Sequence, residues 1–322
     1  MSLTRRRLLT RLGLLAAAAG GTLWLVRDRL PWPPLEPGFA NGRNTPWLPL
    51  AGPGGLIDIP AQVNGAAIRA VVDSGAQFSA IDAALAERLG LPPTLAAPLI
   101  AYGVSGQPDL THTVRLDLAV DGLAVPNVRA AVLDLAAISQ ATGRDFQLLI
   151  GRDVLRHLVV EADFVRRRAR FLARGAYTPP PDARTLSLVE QRGAPTIAVQ
   201  VESAAPIDVL VDTGASGILA LSEGAARQAG LLAPGRPVQR AHSVSLGGLS
   251  LDRVVTARTV QVAGLTLRDV PVQIYRPAAN APAPSGLLGA GLLARFRLAL
   301  DLGAGQLHLV PPSPIVVSAP RN

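Results

Sequence analysis

The sequence predicts a mostly β protein built as two similar lobes related by a pseudo-twofold. Three observations carry this. The triplet Asp-Ser/Thr-Gly occurs twice, at Asp73 and Asp212, 139 residues apart. Two β-rich runs joined by a polar turn precede each triplet. A segment near the end of each copy, Leu148 to Leu172 and Gly286 to Val310, aligns without a gap, with Gly151 on Gly289, Leu155 on Leu293 and Asp163 on Asp301. A lone triplet is weak, but two in register within a repeat of about 120 residues indicate an internal duplication.

"LIDIPAQVNGAAIRAVV" (Leu56 to Val72) reads as two strands meeting at Asn64-Gly65, a dipeptide suited to tight hairpin turns. After Asp73 comes a predicted helix, Ile81 to Leu91, with Asp82 as N-cap. In the second copy "TIAVQVESAAPIDVLV" (Thr196 to Val211) supplies the strands, and the helix is predicted over Leu221 to Leu232, with Ser222 as N-cap. About thirty residues after each aspartate lies a small-residue segment, "AYGVSG" (Ala101 to Gly106) and "AHSVSLGG" (Ala241 to Gly248). Both copies then read apolar-apolar-Gly, short helix, strand, turn, strand.

Composition narrows the chemistry. The 322 residues suffice for about two domains, and an apolar fraction of 49% supplies a sizeable core. Aromatics are only 4%, so that core must be Val, Leu, Ile and Ala. The absence of cysteine excludes disulfides, thiolate catalysis and Cys-based zinc sites. The net charge of +8 is concentrated in residues 1–29, which hold six Arg and one Asp. Every basic residue is Arg. The run Arg166-Arg167-Arg168 with Arg170 is isolated and lacks an aromatic platform in sequence, so a solvated hairpin tip is expected and nucleic acid is not.

The N-terminus reads as an address. Arg5, Arg6, Arg7 and Arg11 precede an apolar run from Leu12 to Val26, a signal-peptide layout. Thr4-Arg5-Arg6-Arg7-Leu8-Leu9 resembles the bacterial twin-arginine export motif. Ala17-Ala18-Ala19 offers a cleavage site, whereas Trp24-Leu25-Val26 argues for an uncleaved anchor to the inner membrane through residues 8–26. Both outcomes place the body outside the cytoplasm, in the periplasm. The expected boundaries are a signal peptide or anchor at 1–29, a Pro-rich spacer at 30–50, a first lobe at 51–172, a linker at 173–185, a second lobe at 186–312 and a tail at 313–322.

These motifs resemble the aspartic proteases, most closely the retropepsin-like group. Each copy has the pattern of one retropepsin subunit: apolar run, Asp-Ser/Thr-Gly-Ala, a glycine-bearing flap, then apolar-apolar-Gly and a short helix. Ile150-Gly151-Arg152-Asp153-Val154-Leu155 is similar to the corresponding retroviral segment. The resemblance implies two β-barrel lobes and an endopeptidase acting on polypeptide without metal or organic cofactor. It implies Asp73 and Asp212 as the catalytic pair. Two carboxylates about 3 Å apart cannot both ionise, so they share a proton and activate a water between them. Ser74, Gly75, Thr213 and Gly214 would support the pair, and Leu149-Ile150 and Leu287-Leu288 would back the loops. Tyr102, Gly103, Val104, Ser105 and Gly106 would form one flap, and His242, Ser243, Val244 and Ser245 the other. One chain would then be a monomer holding an intramolecular pseudodimer. Pairing of copies between chains and a catalytically idle peptide-binding module of the envelope are the alternatives.

Other constellations are weaker. His157 and Glu161 stand at metal-ligand spacing, but the second copy has Arg295 and Ala299 there, so a structural role is expected. Asp163 and Asp301 repeat where a strand enters a turn and are expected to make turn hydrogen bonds. His112 has no partner at a recognisable spacing, and no Gly-x-Ser-x-Gly elbow is present. Arg152-Asp153 becomes Ala290-Gly291 in the second copy, so the two lobes are not equivalent.

Overall fold

A computed structural model describes residues 34–52, 55–94, 99–101, 109–191, 193–245, 248–277 and 284–311. Residues 8–26, and with them the export segment, lie outside these. Among the described residues no helix is long and apolar enough to cross a membrane.

Each copy folds into a ring of six strands. In the first lobe the strands Leu123–Leu133, Ala80–Asp82, Leu148–Ile150, Ala66–Val72, Asp58–Val63 and Thr113–Val120 follow one another, and the last pairs back to the first. In the second lobe the ring is Ala194–Val201, Ile207–Asp212, Gly286–Gly289, Leu219–Ser222, Leu265–Tyr275 and Gly248–Val262, closed by Gln200↔Gln261 and Val201↔Val260. Closure removes the exposed strand edges of each sheet. Every ring contains two parallel contacts at equivalent places, so the duplication read from the sequence is a duplication of topology.

The local chemistry explains the hairpins. Asn64 and Gly65 both have positive φ (48° and 82°), as a tight turn between twisted strands requires. Asp82 accepts from the amides of Ala84 and Leu85, and Ser222 from that of Ala225, so both expected N-caps are in place. The helices are shorter than the sequence predicts, Ala83–Arg88 and Glu223–Gln228. Their first residues are drawn into the strands Ala80–Asp82 and Leu219–Ser222, and the left-handed glycines Gly90 and Gly230 end them. The core is aliphatic: Ile59, Val63, Val72, Ile81, Leu116 and Val128 in the first lobe, with Val199, Val209, Leu221, Val260 and Val272 in the second, are almost wholly buried.

A third, six-stranded sheet joins the lobes, in the order Arg184–Ser187, Gln306–Val310, Arg297–Asp301, Leu158–Asp163, Arg168–Ala173 and Leu48–Pro49. Its central pair is antiparallel, with Val159 opposite Asp301 and Asp163 opposite Arg297. Glu161 therefore faces its own repeat equivalent, Ala299, and the pseudo-twofold passes between them. An axis has room for one long side chain there, which explains why the repeat differs at this position. Of residues 30–50, expected as an extended spacer, the described part turns at residues 40–43 and carries strands Gly38–Phe39 and Leu48–Pro49 that join the first lobe and the interlobe sheet. Thr45 is fully buried and accepts from the amide of Phe171.

The fully buried carboxylate of Glu161 accepts from Arg170 Nε (2.6 Å) and Arg297 Nε (2.8 Å), one arginine from each lobe. Trp47 lies against Arg168, Arg170 and Arg297, with centroid distances of 4.2, 4.5 and 5.9 Å. The arginine run therefore does have an aromatic neighbour, distant in sequence, which carries it as intramolecular packing. The exposed tip is Arg166 and Arg167. Asp163 accepts from the amide of Arg166 and Asp301 from that of Ala304, the turn role expected of both. Glu161 is thus an ion-pair anchor; among the described residues no group of three or more metal-ligating side chains occurs. Glu161→Ala should lower stability by about 2–3 kcal/mol, because two partly buried guanidinium groups lose their carboxylate. Urea denaturation followed by circular dichroism would measure it.

Candidate active site

The first link is from strand to loop. Ala66–Val72 runs parallel to Leu148–Ile150, and Ile207–Asp212 to Gly286–Gly289. The aspartates emerge where these strands end, and the amide of Asp73 donates to the Ile150 carbonyl (3.0 Å). A Cβ on Gly151 would stand 2.4 Å from the Phe78 carbonyl carbon, and one on Gly289 2.4 Å from the Gly217 oxygen. Glycine is required at both for the backbones to cross.

Each carboxylate is then held by its own loop. Asp73 Oδ1 accepts from the amides of Gly75 (2.8 Å) and Ala76 (3.1 Å). Asp212 Oδ1 accepts from Gly214 (2.9 Å) and Ala215 (3.0 Å). The two loops lock together through four buried bonds. The Ser74 amide donates to Thr213 Oγ1 and the Thr213 amide to Ser74 Oγ, both at 3.0 Å. In turn Ser74 Oγ donates to the Val211 carbonyl and Thr213 Oγ1 to that of Val72, both at 2.8 Å. Matching distances across the pair are the signature of a local twofold. A Cβ on Gly75 would lie 2.5 Å from Asp212 Cγ, and a Cβ on Gly214 2.5 Å from Asp73 Cγ. Each glycine leaves the space into which the opposite carboxyl reaches, so the two carboxyls face one another across the local twofold.

Asp212 is 7% exposed and Asp73 somewhat more open. Burial, then the neighbouring charge of Asp73, pushes Asp212 up to about 8. Burial also raises Asp73, opposed by the amides of Ala76 and Gly75, the bond to Asp212 and the charge of Arg152. Such a pair retains one proton over a broad pH range and titrates as a unit.

Of the flap residues expected from sequence, Tyr102, Gly103, Val104, Ser105 and Gly106 lie outside the described residues. They fall between the paired strands Leu99–Ala101 and Asp109–Thr111. His242, Ser243, Val244 and Ser245 belong to strand Gln239–Ser245, which pairs with Gly248–Val262 from His242↔Leu251 to Ser245↔Gly248.

Three further groups support the site: Arg152 and Asp153, which the sequence marks only as a difference between the copies, and Tyr275. Among the described residues Arg152 makes no bridge to a carboxylate; its guanidinium donates to the carbonyls of Ser74 (3.0 Å) and Gly75 (2.7 Å). Asp153 accepts from the Ser79 amide and hydroxyl, both at 2.9 Å, and burial pushes it up to about 6. Tyr275, 2% exposed, donates to the Pro284 carbonyl and feels the charge of Asp212. The second copy offers Ala290 and Gly291 against Arg152 and Asp153, and that mismatch was the available signal for the first two. Tyr275 had none.

Two six-stranded rings with paired Asp-Ser/Thr-Gly loops define the aspartic-protease fold. The family model described as "Aspartyl protease" matches residues 59–154 and again 197–292, more than half of the chain. The chain belongs to the aspartyl protease family, whose domain it carries twice in tandem. Among solved structures it is similar to a retropepsin-like aspartic protease from Rickettsia conorii, at 23% identity, over 41% of this chain and 95% of that one, with a TM-score of 0.31. No curated protein matches the chain.

Proposed function

We propose that this protein is an exported aspartic endopeptidase that hydrolyses peptide bonds with a water activated between Asp73 and Asp212. The observation that carries the proposal is the facing pair of carboxyls, each lodged against the other lobe's glycine. One ionised carboxylate takes a proton from water as its oxygen attacks the substrate carbonyl. The protonated partner donates to the carbonyl oxygen, giving a neutral gem-diol. The first carboxyl then passes its proton to the amide nitrogen, the C–N bond breaks, and a gem-diol hydroxyl returns a proton to the second. No covalent intermediate forms. The locked Ser74–Thr213 loops hold both carboxyls in place before substrate arrives, which is where such a site gains its rate.

The substrate is polypeptide. The subsites favour apolar side chains, in keeping with the Val, Leu and Ala that flank the loops. The N-terminal segment directs the body to the periplasm, either released or anchored to the inner membrane, and the active species is a monomer with both halves of the dyad in one chain.

The test is cleavage of a diverse peptide library by the full chain from acid to alkaline pH, with and without a statine-type inhibitor. Cleavage abolished by the inhibitor supports the proposal; none at any pH from folded protein sinks it in favour of a peptide-binding role. The pH profile has a fixed sign. Activity requires the proton on the pair, so kcat/KM should fall on the alkaline side near the value of about 8 set for Asp212. It should also fall in acid, once the ionised partner is protonated. A profile flat to pH 10 would remove the shared-proton pair from the mechanism.

A further inference from the structure

The duplication leaves the buried cation Arg152 without a counterpart. Arg152 begins the short helix Arg152–Leu155, and the aligned residue opening Ala290–Leu293 is Ala290. The Arg152 side chain is 6% exposed. Its guanidinium spans the carbonyls of Ser74 and Gly75, the two that follow Asp73. Its Nε has no hydrogen-bond partner among the described residues. The charged groups that face it are Asp73, Arg156, Asp212 and Glu190, and Glu190 is engaged by Arg156 at 2.7 Å. Asp153, one residue on, is turned to Ser79.

A buried guanidinium needs a compensating charge. The carbonyls supply dipoles and no net charge, which leaves the dyad monoanion as the counter-ion. Both carbonyls that hold the guanidinium belong to the loop of Asp73, so the cation lies on that side of the pair. On the other side Asp212 faces Asp73, whose charge opposes its ionisation.

We propose that Arg152 is the counter-cation of the dyad, holding the negative charge on Asp73 and leaving the shared proton on Asp212. This rests on the two-aspartate function proposed above. In a pair of identical lobes the two carboxyls are interchangeable until substrate binds. Here the roles are fixed by sequence: Asp73 takes the proton of the attacking water, and Asp212 donates to the substrate carbonyl. Arg152 is a positioning residue, acting through Asp73 and never touching substrate.

The experiment is an NMR titration of the full chain labelled with 13C at the aspartate carboxyls. It uses Asp73→Asn and Asp212→Asn, each of which keeps one dyad carboxyl, with the double variant identifying the resonance. The carboxyl left in Asp212→Asn should titrate about one pH unit or more below that left in Asp73→Asn. Adding Arg152→Gln should narrow the gap, although glutamine can still donate to a loop carbonyl; adding Arg152→Lys should keep most of it. In otherwise native enzyme, Arg152→Gln should move the acidic limb of kcat/KM to higher pH and leave the alkaline limb in place. A gap of zero, a reversed gap, or a gap untouched by Arg152→Gln overturns the proposal. Should Arg152→Gln fail to fold, the gap between the two asparagine variants and its retention in Arg152→Lys still decide. The titration needs no turnover, so an inactive protein with the expected gap would sink the proposed function alone, and an active one without the gap would sink only the role of Arg152.

Discussion

Asparagine at Asp212 should lower kcat/KM by about a thousandfold or more while the protein still folds, and asparagine at Asp73 should do the same. General acid and base groups each contribute about 10²–10⁴-fold, and here both functions need the same proton. The losses should not add: the double variant should be about as inactive as either single one, because removing either carboxyl ends the shared-proton arrangement. Folding should survive. Asparagine Oδ1 can accept the two loop amides that Asp212 Oδ1 accepts, from Gly214 and Ala215. The four bonds between Ser74, Thr213 and the neighbouring carbonyls involve neither carboxyl. Stability should even change shape with pH. Asp212 has its folded value raised from 3.8 to about 8. The folded state thus holds a proton that the unfolded chain releases, and stability falls as pH rises through that window. The Asp212→Asn variant lacks this proton, so its stability should be flatter across the same window than that of the wild type. Steady-state cleavage of one good peptide, with urea denaturation at several pH values, measures both. Activity within tenfold of wild type in either variant would dismiss the dyad.

What the sequence disclosed and what it withheld divide along physical lines. Features set by neighbouring residues were legible: the Asn64-Gly65 turn, the Asp82 and Ser222 caps, and the loop-to-helix order after each aspartate all depend on contacts within a few positions. The paired aspartates were legible for a different reason. Duplication places two weak signals in the same register, and the Ser74 and Thr213 hydroxyls follow from needing to join two like loops. Features set by chain crossings were not. The strands Gly38–Phe39 and Leu48–Pro49 are two residues each and exist because an edge elsewhere accepts them. The contact of Trp47 with Arg168 and Arg170 spans more than a hundred residues. The helix Ala136–Thr142 has no equivalent among the described residues of the second copy, so the repeat could not announce it. Arg152 was visible only as a mismatch, and its target could not be known before the loop carbonyls had positions.

A methyl group at Gly214 should damage the enzyme nearly as severely as loss of a carboxyl, and for a purely spatial reason. Gly214 does not have the left-handed backbone that favours glycine, so alanine can adopt its conformation. The obstacle is Asp73, whose Cγ would lie 2.5 Å from the new Cβ and whose two oxygens 2.6 and 2.7 Å. One carboxyl or one loop must move by several tenths of an ångström. The loop cannot move alone, because Thr213 beside it is tied to Ser74 and Val72. Asp73 would therefore be displaced from its partner, and a shift approaching 1 Å in a reacting group costs about a hundredfold in rate. Overpacking of this kind lowers stability by about 1–3 kcal/mol. Gly90→Ala provides the control: Gly90 has φ of +60° with nothing within 4 Å of an added Cβ, and it takes no part in either aspartate loop. It should lower stability by about 1 kcal/mol and leave kcat unchanged. Gly75→Ala should reproduce Gly214→Ala, since its Cβ meets Asp212 at the same 2.5 Å. Full activity in either loop variant would mean that the two carboxyls do not approach across the pseudo-twofold, and the site would have to be sought elsewhere.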